Sequence, residues 1–250
     1  MSEKSVRINE NIELIQSEHG LTFGTDAYLL AAFAKWGTRK VCADLGSGTG
    51  VIPLLCMANQ RFKKIYAIEL QEKFAAIIDK NVSLNGFEGR ISTICADIRE
   101  VTAKHTDGEV DVVTANPPYM RADSGKRNEH DEKFIARHEV FGGIDDFCAC
   151  ASRLLKHGGK FYTVWRPDRI VDLICALREH HLEVKNLVFV HATPESQPSV
   201  VLVQSTKGAA AGNTVSRPLF LHNSREDAKN NVLSADAAAI YANCSFDEFI

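Results

Sequence analysis

Lys40-Val41-Cys42-Ala43-Asp44-Leu45-Gly46-Ser47-Gly48-Thr49-Gly50, followed by Val51-Ile52-Pro53-Leu54-Leu55-Cys56-Met57, is the stretch on which the fold turns. Residues 40–45 read as a short buried strand. The glycines that follow let backbone approach a ligand, because no Cβ stands in the way. The apolar run after Gly50 reads as a helix, with Pro53 tolerable in its first turn. Strand, glycine loop and helix form the cradle of nucleotide-binding α/β domains. The spacing here is Gly-x-Gly-x-Gly after an acid, whereas a dinucleotide fingerprint is Gly-x-Gly-x-x-Gly. That difference counts against a nicotinamide enzyme.

The alternation continues on the C-terminal side. A strand over 64–69 ends in Glu69, placed to accept both hydroxyls of a ribose; taken alone, such an acid is a cap or a surface residue. A helix over about 74–85 closes at Asn85-Gly86. A strand over 91–95 leads into Ala96-Asp97-Ile98. Two readings fit Asp97: an acceptor for the exocyclic amine of an adenine, with Ile98 against the ring, or the N-cap of a following helix. A fourth strand, 110–115, runs into Asn116-Pro117-Pro118-Tyr119. Pro117 keeps Asn116 extended and Pro118 does the same to Pro117, while two backbone donors disappear. The Asn116 amide, free carbonyls and the Tyr119 face are the parts that hold a planar amine; a plain strand-ending turn is the alternative. Strands alternating with helices imply a parallel, doubly wound sheet with right-handed crossovers. Ligands bind outside the carboxyl ends of such strands, so these features converge on one edge.

Upstream, Thr25 or Asp26 is read as the cap of a helix over the apolar run to Ala34, and a helix N-terminus also attracts a carboxylate. Residues 1–22 show no strong period. Residues 120–132, with Arg121, Lys126, Arg127 and His130, read as a solvated loop or as a substrate-ordering lid. Arg137 and His138 suit either phosphate contact or a helix-end charge cluster. An amphipathic helix over 144–155, a strand over 160–165 and a helix capped by Asp168 and reaching 180 come next. The strands 183–191 and 199–204 are joined by only 192–198, too short for a crossover helix, so they form an antiparallel hairpin. Residues 207–213 read as a flexible connector, 219–221 as a short strand and 233–243 as a helix.

Bulk properties set the outer limits. At 250 residues and 27.6 kDa, with 45% hydrophobic and 24% charged residues, the chain suits one large globular domain. No apolar run reaches membrane-spanning length, and the N-terminus lacks a signal-peptide core. A net charge of -3 argues against a generally sticky nucleic-acid binder while leaving room for a local basic face. The seven cysteines, at 42, 56, 95, 148, 150, 175 and 244, fall mostly in apolar runs and read as free thiols of a reducing cytoplasm. Cys148-x-Cys150 is a weak zinc signal without partners, and no metal is expected.

The glycine loop, the acid at the second strand end and Asn116-Pro117-Pro118-Tyr119 together resemble the class I S-adenosylmethionine-dependent methyltransferases. That resemblance implies an α/β, Rossmann-like fold: a seven-stranded, mostly parallel sheet with its last strand reversed and helices on both faces. Within the superfamily, Asn-Pro-Pro-Tyr belongs to enzymes that methylate planar amines. Phe23-Gly24-Thr25-Asp26-Ala27-Tyr28-Leu29-Leu30 and Ala136-Arg137-His138-Glu139-Val140 are similar to the bacterial tRNA(Val) adenine-N6 methyltransferases, which modify the adenine 3′ of the anticodon. Gly158-Gly159-Lys160, Trp165-Arg166-Pro167-Asp168-Arg169 and Arg217-Pro218-Leu219 resemble the Gram-positive branch of that family. The match spans roughly residues 8–222, and the tail after Asn223 departs from it.

The resemblance implies three parts: an N-terminal extension and helix (1–36) completing the cofactor site, a catalytic domain (37–206) and a C-terminal extension (207–250). It implies S-adenosylmethionine as cofactor. Gly46, Gly48 and Gly50 would run along its methionine portion with Asp44 near the amino group, and Thr25 and Asp26 would close that end. Glu69 would hold the ribose, and Asp97 with Ile98 the adenine. Asn116, Pro117, Pro118 and Tyr119 would be catalytic. Arg121, Lys126, Arg127, Arg137 and His138 would contact a tRNA substrate. Release-factor glutamine, rRNA guanine N2 and DNA adenine are the alternative amines. A SAM-binding RNA module without activity is the non-enzyme reading.

Overall fold

The computed structural model describes residues 3–9, 12–17, 24–35, 37–118, 143–247 and 249–250. Two strands, β1 (Glu3–Asn9) and β2 (Ile12–Ser17), pair as an antiparallel hairpin apart from the main sheet. The main sheet contains β3 (Val41–Leu45), β4 (Lys64–Glu69), β5 (Ile91–Cys95), β6 (Val110–Ala115), β7 (Leu155–Trp165), β8 (Leu182–His191) and β9 (Pro198–Lys207). Their spatial order is β8-β9-β7-β6-β3-β4-β5. Every neighbouring pair is parallel except those of β9, which runs antiparallel to both β7 and β8. This is the reversed strand expected from the short connector, and the chain turns there through a bond from the Ser196 amide to the Thr193 carbonyl. Two dipeptide strands, β10 (Thr214–Val215) and β11 (Leu219–Phe220), add to the outer edge of β8, so the seven-stranded sheet carries a small extra rim.

Side chains of each central strand alternate between two buried layers, as period-two pleating requires. Cys42 and Val112 face one layer with α1 (Thr25–Phe33), α2 (Val51–Ala58) and residues Ile78 and Val82 of α3 (Glu72–Leu84). Ala43 and Val113 face the other, with α4 (Ile144–Leu154) and α5 (Ile170–Glu179). Covering both faces with helices buries the central strands β3, β4 and β6 almost completely, and that is why they read as apolar runs.

The N-terminal hairpin was not visible in the sequence, and its outer edge shows why. Asn81 and Asn85, four residues apart on α3, face Ile15 and Glu13, two apart on β2. Asn81 Oδ1 accepts the Ile15 amide at 2.7 Å and its Nδ2 donates to the Ile15 carbonyl at 3.1 Å. Asn85 does the same for Glu13, at 3.0 and 2.8 Å. Four residues of helix rise about 6 Å and two of strand about 6.8 Å, so the side-chain amides stand in for a neighbouring strand.

Several expected caps are corrected. Gly24, not Thr25 or Asp26, is the N-cap of α1 and makes no side-chain bond there, so both residues lie in the first turn. Asp168 caps nothing: it pairs with Arg166 at 2.8 Å, a 3-10 turn occupies Pro167–Arg169 and α5 starts at Ile170. No helix follows Asp97. Its carbonyl closes a turn by accepting the amides of Glu100 and Val101.

The last 28 residues hold two helices, α6 (Arg225–Lys229) and α7 (Ala235–Asn243), and fold back onto α1. The Tyr28 hydroxyl donates to the Tyr241 carbonyl at 2.6 Å, with the two rings stacked 4.6 Å apart. Arg61, only 3% exposed, donates to the Ala34 carbonyl at 2.9 Å and to that of Cys244. Arg61→Met leaves two buried carbonyls unpaired, a loss of about 3 kcal/mol in urea unfolding. Limited proteolysis should then cut within 230–250 at protease levels that leave the wild type intact.

Candidate functional site

The strand register brings the expected residues to one edge. Leu45 pairs with Ile68 on one side and Ala115 on the other, and Glu69 pairs with Cys95. Gly46–Gly50, Glu69, Asp97 and Asn116 are therefore at or just beyond the last paired positions of four adjacent strands. The glycine loop leaves β3 with Gly46, Gly48 and Gly50 at φ of 67, 57 and 85°, conformations that L side chains rarely adopt. A Cβ on Gly48 would meet nothing within 4 Å, so the loop backbone faces open space there, whereas one on Gly46 would lie 3.4 Å from the Phe147 ring. The Ser47 amide donates to the Ile68 carbonyl at 2.9 Å and anchors the loop to β4.

Two acids flank the loop. Asp44 is 1% exposed and its carboxylate accepts two hydroxyls, Thr114 on Oδ1 at 2.6 Å and Ser47 on Oδ2 at 2.7 Å. Burial pushes the Asp44 carboxyl up to about 7; the hydroxyls pull it down and the charge of Glu69 adds to the rise. Glu69 is 5% exposed and spans the loop: Oε2 accepts the Gly48 amide at 2.8 Å and Oε1 the Gln71 amide at 3.0 Å. Burial raises its carboxyl as well. Two buried carboxyls at the glycine loop disfavour a phosphate beside it and suit a ligand that brings a positive charge and hydroxyl donors.

Asp97 lies at the end of β5, but its carboxylate is already forked by Arg99, whose Nε lies 2.9 and 3.0 Å from its two oxygens. That guanidinium holds the Asp97 carboxyl below the usual range. Adenine recognition by Asp97 therefore requires sharing with Arg99. Ile98 beside it is buried. Asn116 and Pro118 are half-buried and Pro117 is buried at the end of β6. Thr25 is exposed and Asp26 half-buried at the start of α1. Tyr119, Arg121, Lys126, Arg127, Arg137 and His138 lie outside the described residues.

Sequence reasoning missed the supporting residues. Ser47 and Thr114 were assigned no role, yet they hold Asp44. Arg153, on α4, donates to the carbonyls of Val101 and Ile98, both at 2.7 Å, and so shapes the turn that carries Ile98. Asn81, fully buried, ties the hairpin to the loop by donating to the Thr49 carbonyl at 2.9 Å. Asn81 within α3, where that residue is a poor helix former, was the available signal.

The chain matches the family model of the methyltransferase small domain over residues 13–187. It belongs to that family. This methyltransferase is 30% identical over 184 residues to a tRNA1(Val) (adenine(37)-N6)-methyltransferase of Phocaeicola vulgatus, across 72% of this chain and 74% of that one. A protein of the same name from Porphyromonas gingivalis is 27% identical over 201 residues, 77% of each chain. Among solved structures, a predicted O-methyltransferase from Agrobacterium tumefaciens superposes with a TM-score of 0.65 at 22% identity, covering 84% of this chain and 98% of that one. The fold is the Rossmann-like class I methyltransferase fold. Among the described residues no helix is long and apolar enough to cross a membrane.

The Asp44 carboxyl sets a pH dependence. The unfolded chain gives up this proton at about 3.9, the folded protein only near 7. Between those values the folded state holds a proton that the unfolded state has lost, so this group makes stability fall as pH rises. In Asp44→Asn that decline should shrink, with the variant more stable than wild type at pH 8 in urea unfolding of the ligand-free protein.

Proposed function

We propose that this methyltransferase uses S-adenosylmethionine to methylate N6 of an adenine in tRNA, at the position 3′ of the anticodon. The observation that carries this reading is the pairing of Leu45 with Ala115. Parallel neighbours lie about 4.8 Å apart, so the acid-flanked glycine loop and the Asn116-Pro117-Pro118 loop leave the sheet side by side. A site for a cationic donor thus adjoins a site for a planar amine. The two relatives described above bear the name of that reaction.

When bound, S-adenosylmethionine supplies a methyl group carried on a positively charged sulfur. The chain's own residues account for the rest. Asp44, protonated or not, accepts hydrogen bonds from the ligand's amino group, and a nearby ammonium draws its proton off. Glu69 keeps lone pairs beyond its two amide bonds, enough for the hydroxyls of a ribose. Asp97, shared with Arg99, and the buried Ile98 serve an adenine ring. Thr25 and Asp26 close the methionine end.

The amine of adenine is a weak nucleophile because its lone pair is delocalised into the ring. The Asn116 Oδ1 and the Pro117 carbonyl accept its two hydrogens and draw the nitrogen toward sp3 character, with alignment supplying the remaining help. The two prolines keep these acceptors extended and remove competing donors. The target base leaves its stack to reach the methyl; in an anticodon loop it is unpaired already. Tyr119 stacks on the extruded base, a contact worth about 1–3 kcal/mol. Arg121, Lys126, Arg127, Arg137 and His138 take the phosphates around it. Such a substrate places the protein in the cytoplasm.

Asn116→Ala should lower turnover by about 100-fold or more, the scale of losing one group that stabilises a transition state. Cofactor affinity, measured by calorimetry, should stay within a few-fold of wild type; equal losses in both would make Asn116 structural. Substrate choice is checked by offering labelled S-adenosylmethionine with bulk tRNA, release factor and DNA. Label should appear in tRNA as N6-methyladenine, and label confined to protein or DNA overturns the assignment.

A further inference from the structure

Asn81 joins two parts of the molecule that no strand ladder connects. Its side chain is fully buried in the last turn of α3. Its Nδ2 is split between the Ile15 carbonyl of β2 at 3.1 Å and the Thr49 carbonyl of the glycine loop at 2.9 Å, while Oδ1 accepts the Ile15 amide at 2.7 Å. Thr49 is buried and lies between Gly48 and Gly50, both at positive φ. Glycines on either side make the Thr49–Gly50 peptide plane easy to turn. The Gly50 amide bonds the Ser47 carbonyl at 2.8 Å, and the Gly50 carbonyl accepts the Leu54 amide of α2 at 3.0 Å. The Thr49–Gly50 peptide thus closes the loop through its N–H, the next peptide opens α2 through its carbonyl, and Asn81 holds the oxygen of the first.

We propose that Asn81 is a positioning residue for the cofactor, and that through it docking of the N-terminal hairpin and occupancy of the glycine loop stabilise each other. The coupling is reciprocal by linkage: what orders the loop tightens the hairpin, and losing the hairpin contact loosens the loop. Asn85 supplies the internal control. It holds Glu13 of the same strand but its side chain has no bond to the loop; its second Nδ2 bond goes to the Asn81 carbonyl at 2.7 Å. A hairpin that matters only as a cover would make the two asparagines equivalent. This inference rests on the cofactor assigned above, and binding by the wild type tests that assignment separately.

The experiment uses S-adenosylhomocysteine as the probe on the full chain. Asn81→Ala should raise its dissociation constant by about tenfold, the cost of leaving a buried carbonyl unpaired beside the ligand. Asn85→Ala should lower the melting temperature yet bind the probe as wild type does. Hydrogen exchange in the wild type needs no variant: saturating probe should slow exchange of the Ile15 amide several-fold and that of Glu13 much less. Wild-type binding with an unchanged Ile15 amide overturns the proposal. So does an Asn81→Ala protein that melts lower but binds as tightly as wild type. Failure of the wild type to bind the probe overturns the cofactor assignment.

Discussion

A carboxylate with almost no access to water sits at the end of the central strand, and much of the candidate site follows from it. Asp44 is held by hydroxyls from the next strand and from the loop beside it. Hydroxyls satisfy its lone pairs without neutralising it, so the acid remains costly to ionise. Glu69 adds a second buried acid on the far side of the loop. Their mutual repulsion is relieved by the kind of ligand a methyl donor is, positively charged and rich in hydroxyl donors. Stability is lost locally where binding is gained, a common trade at functional sites.

The sheet makes this arrangement possible because parallel strands end together. β3 is flanked by β4 and β6, so the loop after it is bracketed by Glu69 and by the Asn116-Pro117-Pro118 turn. Alternation along each strand sends neighbouring residues into opposite layers, and helices on both faces keep water from the strands. The loops at the carboxyl edge lie beyond those layers, where ligands meet sheets of this kind. The hairpin at the N-terminus joins this frame through side-chain amides, and the C-terminal helix through Tyr28 and Arg61.

The strands were legible because each is a run of apolar residues bounded by turn signals, and five of the seven in the main sheet were placed within a residue of their observed ends. β7 and β9 extend further than expected: β7 begins at buried Leu155, which pairs with Val110 before a break in register, and the last residues of β9, Ser205–Lys207, are polar yet pair with β7 or β8. Caps were the weak point. Asp168 and Asp97 each sit two residues from an arginine, and in both cases the ion pair took the carboxylate that a helix start was expected to use. Thr25 and Asp26 lost the cap of α1 to Gly24, whose extended backbone places it one step earlier. The hairpin of residues 3–17 was illegible for a different reason: its partner is a helix face, and no short-range pattern announces that.

The sequence alone determined the alternation of helices and strands in the main sheet from β3 to β9, the reversal of β9 and the chemistry available at the edge. Those follow from local rules: apolar period, glycine freedom, proline restriction and the length of a connector. Only the tertiary structure decided which groups those acids meet. Asp44 receives Thr114 from seventy residues away, and Asn81 joins Ile15 to Thr49 across three separate elements. Contacts between distant residues depend on how the layers close, and side-chain hydrogen bonds of that kind leave no periodic trace along the chain.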